Sequence, residues 1–371
     1  MPELAAPVGR LGSLAIVLHS HMPYVEGFGT YPFGEEWLFD AYLRSYLPVL
    51  EVAERLTLTV TPVLADQLEA PGVGERLERF VTELRVGYCR REAGAIGGEL
   101  GAACEAEASR YEHALETLRG LAGELLSPFT EASAAGRVAL MSSAAAHAVL
   151  PLLATRAARR LQIDAGLRSH HRRFGAPAGF WLPECAYEPG LEGELAELGV
   201  EAFCVDQSEF LDPVQTLAPI ATAAGPTALA IDWGLISRLW SLSGYPSDPA
   251  HQDFHRKSIW GARPWSIAGA PYDPARAQAI ARRQAADLTD ALGERFRAGA
   301  PDGDGLVVFA IDTELIGHWW WEGPIWLAEL IRLAPGAGIE LVTVPQAVER
   351  HSAEPRPLRS SSWGEGKDLR S

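Results

Sequence analysis

Two acidic residues far apart in the chain each close a short apolar run. Glu184 lies in GFWLPEC (179–185), and Asp312 ends LVVFAID (306–312). Two carboxyl groups facing one another at ~5–5.5 Å can break a glycosidic bond with retention, one attacking the anomeric carbon and the other protonating the departing oxygen. Other polar and aromatic residues gather at the ends of other runs. LAIVLHSH (14–21) brings His19 and His21, which share a face because side chains two apart in a strand point the same way. His147 follows RVALMSS (137–143), Trp181 sits beside Glu184, Asp206 lies near the end of EAFCVDQ (201–207), and Asp232 and Trp233 end TALAIDW (227–233). The stretch FAIDTELIGHWWWEGP (309–324) adds Glu314, His318 and three consecutive tryptophans, Trp319, Trp320 and Trp321. Aromatic faces stack on the apolar face of a sugar ring, and imidazoles hydrogen-bond its hydroxyls. Taken singly, each residue has a plainer reading. An acid at a strand end is commonly a helix cap or an ion-pair member. A tryptophan is commonly core, and His-x-His is also a metal-binding pattern. Their conjunction at successive run ends is what points to a site.

For these residues to meet, the run ends must converge. The runs are rich in Val, Ile, Leu and aromatics and apolar on both faces, the mark of parallel strands buried between helices. LTLTVTPVLAD (56–66) and IELVTV (339–344) add two more. Helical segments are expected at 35–55, 73–126, 145–173, 274–298 and 325–334. The alternation predicts an α/β fold whose parallel sheet is closed or nearly closed into a barrel, with functional groups at the strand ends. The interval 73–126 is helical without a strand and reads as an insertion. The stretch 234–272, rich in Gly, Pro, Trp and Ser, is too long for an ordinary connection and reads as a lid or binding loop. Residues 1–351 thus form one catalytic unit, followed by a polar tail, 352–371.

The 371 residues suit one large α/β domain with insertions, or two domains. The net charge of −16 disfavours nucleic acid and anionic membranes as partners and favours a neutral or cationic ligand. No apolar stretch reaches the ~20 residues needed to span a bilayer, and no secretory leader pattern is present. Cys89, Cys104, Cys185 and Cys204 lack CxxC spacing and read as free thiols in a reducing cytoplasm.

On these residues the chain resembles glycoside hydrolase family 57 along almost its whole length. HSHMPY (19–24) resembles the family's first signature, GFWLPECAYEPG (179–190) the one carrying a nucleophilic glutamate, and FAIDTELIGHWWWEGP the one carrying an acid/base aspartate. MSSAAAHAVLPLL (141–153) is similar to a segment with a substrate-contacting histidine, and SSWGEG (361–366) to a segment after the last barrel strand. Within the family the likeness is to 1,4-α-glucan branching enzymes. It implies a distorted (β/α)7 barrel with a helical insertion, an α-1,4-glucan substrate such as glycogen or amylose, and no metal or organic cofactor. Glu184 would attack the anomeric carbon. Asp312 would protonate the leaving oxygen, then activate the 6-hydroxyl of an acceptor chain to give an α-1,6 branch. His19, His21 and His147 would line the donor subsite, and Trp319 and Trp320 would stack on glucose rings. Trp181, Asp206, His318 and Trp363 complete the expected binding set. WSLSGYPSDP (240–249) resembles a mobile loop whose tyrosine, here Tyr245, covers the site against water. Two departures bear on transfer. The 234–272 region looks shorter than in branching members. Those members also continue past SSWGEG into a helical C-terminal domain, so 352–371 reads as the start of a missing region. Both would weaken water exclusion and acceptor binding. Alternatives are an α-amylase or 4-α-glucanotransferase with the same acid pair, a non-catalytic glucan-binding relative, and a metal-dependent deacetylase using the His-x-His pair.

Overall fold

The computed structural model describes residues 9–30, 34–364 and 366–369. Residues 1–8 and 31–33 of the 1–351 unit, and Glu365, Arg370 and Ser371 of the tail, lie outside the described residues. The first apolar run becomes β1 (Gly12–Ser20), buried along all nine residues. Such a strand needs partners on both edges. β2 (Leu56–Val60) pairs its last four residues on one edge, where β9 (Ile339–Leu341) pairs its first three. β8 (Gly305–Asp312) runs parallel along the other edge through eight residue pairs. From β2 the sheet continues through β3 (Val138–Ser143), β4 (Phe180–Trp181), β5 (Ala202–Val205) and β7 (Thr227–Ala230), each parallel to its neighbour. β6 (Ile220–Ala221) lies antiparallel to β7, and β10 (Glu354–Pro355) pairs with β6.

Closure comes just beyond β7. Ile231 bridges to Val308 of β8, and the Asp232 N–H donates to the Val308 carbonyl at 2.8 Å. Seven parallel strands, β1, β2, β3, β4, β5, β7 and β8, therefore form a ring that is joined by a single bridge on one side. This is the distorted (β/α)7 barrel expected from the sequence, and its C-terminal strand ends all open to one mouth. Among the described residues no helix is long and apolar enough to cross a membrane.

The insertion is a helical hairpin. Its first arm, 73–96, turns at Gly97 and Gly98, both at positive φ, and returns as the helix Gly98–Gly120. It grips the lid region: Glu107 accepts from the Arg263 N–H at 2.7 Å, and Glu92 accepts from the Ser258 hydroxyl and the Trp260 N–H. Two expectations need correction. The helix expected from 145 begins only at Arg156 and runs to Phe174, with Thr155 as its cap accepting from the Ala158 N–H at 3.1 Å. His147 at φ 53° and a 3-10 turn at Leu150–Leu152 around Pro151 keep 144–155 irregular, and that irregular stretch carries His147 to the mouth. The stretch 234–272 is also not all loop. The helix Trp233–Trp240 opens it, capped by Asp232, which is further held by Arg295 at 2.7 Å. Asp232 is thus a cap and ion-pair member, the plainer of its two readings.

Candidate active site

A cleft of about 890 Å³ lies over the strand ends. His19, His21, His147, Glu184, Asp312, His318 and Trp319, seven of the residues expected from the sequence, line it. Register explains part of this. His19 near the end of β1 is level with Asp312 at the end of β8, and with Thr59 on the other side. Glu184 arrives differently. β4 stops at Trp181 and the chain enters a tight turn, Pro183–Cys185, in which Glu184 (φ 60°) and Cys185 (φ 48°) are both left-handed. Neither is glycine, so the turn is strained, and such strain persists where surrounding contacts enforce it.

Asp312 lines the cleft and is partly buried. Burial, with the nearby charge of Glu184 as a second cause, pushes its carboxyl up to about 7. Glu314, two residues on, is pushed up to about 8 by burial and then by Asp312. Its Oε1 accepts from the His21 N–H at 3.0 Å and from the Tyr46 hydroxyl. Tyr46 reaches it from a five-residue π-helical turn, Tyr42–Tyr46, and such widened turns are frequent at functional sites. A third acid therefore lies in the cleft, tied to both the β1 end and the helix over it.

The three imidazoles stack. His21 and His147 lie 3.9 Å apart between ring centroids, and His19 stacks on Trp181 at 4.9 Å. His19 Nε2 and His147 Nε2 are hydrogen-bonded at 2.9 Å, one donating and one accepting. Burial lowers all three, His21 to about 4 and His147 to about 3, with His19 lowered further by His147 and His21. They stand neutral, and the His21 Nδ1 is engaged with the Thr61 hydroxyl at 3.1 Å. Among the described residues no group of three or more His, Cys, Asp or Glu side chains is disposed to hold a metal ion.

The tryptophan platform is corrected. Trp319 is 50% exposed and lines the cleft, whereas Trp320 (1%) and Trp321 (3%) are core. Trp320 packs on Trp326 and His251, and Trp321 lies between Arg44 and Arg110. The cause is Gly317 at φ 106°, where a Cβ would meet the Arg44 carbonyl at 1.9 Å; the turn it allows sends successive rings in different directions. Trp181 is fully buried beneath His19. Asp206 is buried away from the cleft and accepts from Ser208 and Lys367. The Tyr245 hydroxyl donates to Asp287 on the helix Pro274–Gly299, although Pro246 and Ser247 beside it line the cleft. Trp363 is half-buried, with its indole on Glu184.

Several lining residues went unread. Trp37, Trp240 and Phe254 extend the aromatic rim. A buried charge network of Glu36, Asp40, Arg85 and Arg263 lies beneath one end, with Arg85 bidentate to Asp40 at 2.8 and 2.6 Å. The available signal was the pair of acids at positions 36 and 40, four apart on a helix whose other residues are mostly apolar. Their arginine partners, from the hairpin and the lid, lie far off in sequence.

The comparisons with known proteins agree with this geometry. A probable 1,4-alpha-glucan branching enzyme of Mycobacterium tuberculosis is 34% identical, over 99% of this chain and 76% of the relative. The crystal structure of a GH57-type branching enzyme from the archaeon Pyrococcus horikoshii superposes with a TM-score of 0.90 at 29% identity, over 96% of this chain and 74% of that one. The alpha-amylase AmyC of Thermotoga maritima superposes with a TM-score of 0.88 at 26% identity, over 96% of this chain and 78% of that one. The sequence profile of glycosyl hydrolase family 57 matches residues 15–357, the span of the ring and its mouth. With the acid pair, the histidine stack and the closed seven-strand ring coinciding with that match, this chain belongs to glycosyl hydrolase family 57.

Proposed function

We propose that the protein is a retaining α-glucan enzyme, most nearly a 1,4-α-glucan branching enzyme of the cytoplasm acting in glycogen-type synthesis. The observation that carries the reading is the meeting of Glu184 and Asp312 in one aromatic-rimmed cleft, where burial and then the Glu184 charge push the Asp312 carboxyl up to about 7. Glu184 attacks the anomeric carbon of an α-1,4 link. Asp312 gives its proton to the leaving oxygen and afterwards, as carboxylate, takes the proton of an acceptor 6-hydroxyl. His19, His21 and His147, neutral, exchange hydrogen bonds with sugar hydroxyls, and Trp319 offers a stacking face. The branching names of the mycobacterial and Pyrococcus relatives support the transfer step. Four free, buried cysteines support a reducing compartment. A second reading, hydrolysis as in an α-amylase, is favoured by the tethering of the Tyr245 hydroxyl to Asp287, away from where it could exclude water. Proton NMR of amylose incubated with the protein and with Glu184→Gln separates the two. New α-1,6 anomeric signals absent with the variant support branching. Reducing ends alone support hydrolysis, and unchanged amylose with the native chain overturns both.

A further inference from the structure

Glu184 is held by a segment 179 residues further along the chain. Ser361 and Tyr187 exchange backbone hydrogen bonds at 2.9 and 3.0 Å. Two residues later the Trp363 N–H donates to the Glu184 carbonyl at 3.0 Å, and its indole Nε1–H donates to the Glu184 Oε2 at 3.0 Å. The Trp363 ring rests edge-on against Trp181, 4.9 Å between centroids. Among the described residues this indole is the one hydrogen-bond donor on the Glu184 carboxylate. The backbone there is left-handed, and the strap holds both its carbonyl and its side chain.

The chain then folds back. The Lys367 N–H donates to the Gly364 carbonyl at 2.9 Å, and the Ser362 N–H to the Lys367 carbonyl at 3.4 Å. The turn carries the Lys367 ammonium into the protein, where it donates to Asp206 Oδ2 at 2.8 Å and stands 2.9 Å over the Trp233 ring. Asp206 Oδ1 accepts from the Ser208 N–H at 3.0 Å and the Ser208 hydroxyl at 2.6 Å. Lys367 is 9% exposed and Asp206 1% exposed, so the pair is shielded from solvent and salt. Gln207, next in sequence, fixes the segment upstream: it donates to the Arg359 carbonyl at 2.8 Å and accepts from the Arg359 N–H at 2.9 Å. The strap is therefore fastened on both sides of Trp363, and its downstream fastening includes the buried pair of Lys367 with Asp206.

We propose that Lys367 is a positioning residue for the reaction: its pair with Asp206 anchors the strap just downstream of Trp363 and so keeps the Trp363 indole Nε1–H on the Glu184 carboxylate. The proposal rests on the reading of Glu184 as nucleophile. It assigns Asp206 a place in the latch and Trp363 a hold on the nucleophile. A nucleophile has to be kept within about 0.5 Å of its productive geometry, and a hydrogen bond to an ionised group is strong enough to do so.

The test is steady-state kinetics on amylose with Trp363→Phe, the paired variant Asp206→Asn/Lys367→Met, the triple combination and Glu184→Gln, each with a thermal melt. The paired variant removes both charges, so neither is left buried alone. Trp363→Phe lowers kcat about ten- to hundredfold with KM changed less than about twofold, the loss of one hydrogen bond to a charged group. The paired variant lowers kcat in the same sense with KM held. The triple variant is no slower than Trp363→Phe, because Lys367 acts through the indole. Wild-type kcat in the paired variant, losses that multiply in the triple, or losses carried by KM overturn the proposal. Should the paired variant melt early, its kinetics are read at a temperature well below its own melt, and an unchanged kcat there also counts against the proposal. An active Glu184→Gln overturns the nucleophile reading itself. An inactive Glu184→Gln beside unaffected strap variants overturns the latch alone.

Discussion

At the scale of single residues, the acid pair makes pH-dependent claims. With Asp312 pushed up to about 7, its proposed role as acid predicts an alkaline limb of kcat/KM near pH 7, where the carboxyl loses its proton. Asp312→Asn should lower turnover of natural glucan about 10²–10⁴-fold, the usual contribution of general acid catalysis. An activated aryl glucoside, whose leaving group needs no proton, should recover most of the first step; equal losses on both substrates would contradict the acid role. The same substitution bears on stability. A buried carboxyl with a raised native pKa favours the fold while protonated. That contribution is complete below the unfolded value near 4 and is lost as pH rises to about 7. Asn cannot ionise, so Asp312→Asn should gain stability over wild type between pH 4 and 7 and hold the gain above. An upper bound is about 4 kcal/mol, read by urea unfolding at pH 5 and pH 8.

At the scale of elements, two close approaches and one tether set the mouth. Gly166 of the helix Arg156–Phe174 faces the end of β3 so closely that a Cβ would meet the Ser143 carbonyl at 2.0 Å. Gly166→Ala must push the helix off the sheet and should cost about 1–3 kcal/mol, measured by chemical denaturation. Gly317 orients the turn that exposes Trp319 and buries Trp320. Gly317→Ala meets both a positive φ and the Arg44 carbonyl, so glucan binding should weaken together with stability. The lid tether is separable from both. Tyr245→Phe removes the hydroxyl held by Asp287 and leaves the ring. If the tether holds the lid open, this variant closes it more often and lowers the ratio of hydrolysis to transfer. An unchanged ratio would show that the tether does not gate water.

At the scale of the whole molecule, the mouth is a set of titrating groups with opposed demands. Asp312 and Glu314, raised, favour the fold toward low pH. The buried imidazoles act the other way. With His21 lowered to about 4 and His147 to about 3, their contribution is complete above the unfolded value near 6.5 and is lost as pH falls through 4 and 3. His147→Gln should therefore flatten the acid side of the stability curve and leave the side above pH 7 unchanged, as followed by urea midpoints from pH 3 to 8. Similar losses at pH 4 and pH 8 would place the effect in packing rather than proton binding.

The sequence by itself determined the strands, because runs apolar on both faces admit few arrangements other than parallel strands under helices. Run ends in a parallel barrel open to one mouth, so the sequence also led to His19 and Asp312 as neighbours over the cleft, while His147 and Glu184 reach it on irregular turns beyond their strands. Tertiary structure alone decided the rest. The three tryptophans of HWWWEGP are alike in sequence, and a left-handed glycine sends one to the cleft and two to the core. The partners of Glu36, Asp40 and Glu184 lie 49, 45 and 179 residues away, as Arg85, Arg85 and Trp363. Local pattern carries no record of such pairings, because charge and hydrogen-bond partners are chosen by proximity in space. The segment from 352 reads in sequence only as a polar tail, because it has neither an apolar face nor a helix signal. Its described residues are held by the backbone pairing of β10 and Ser361, and by a buried lysine that only the folded barrel provides a place for.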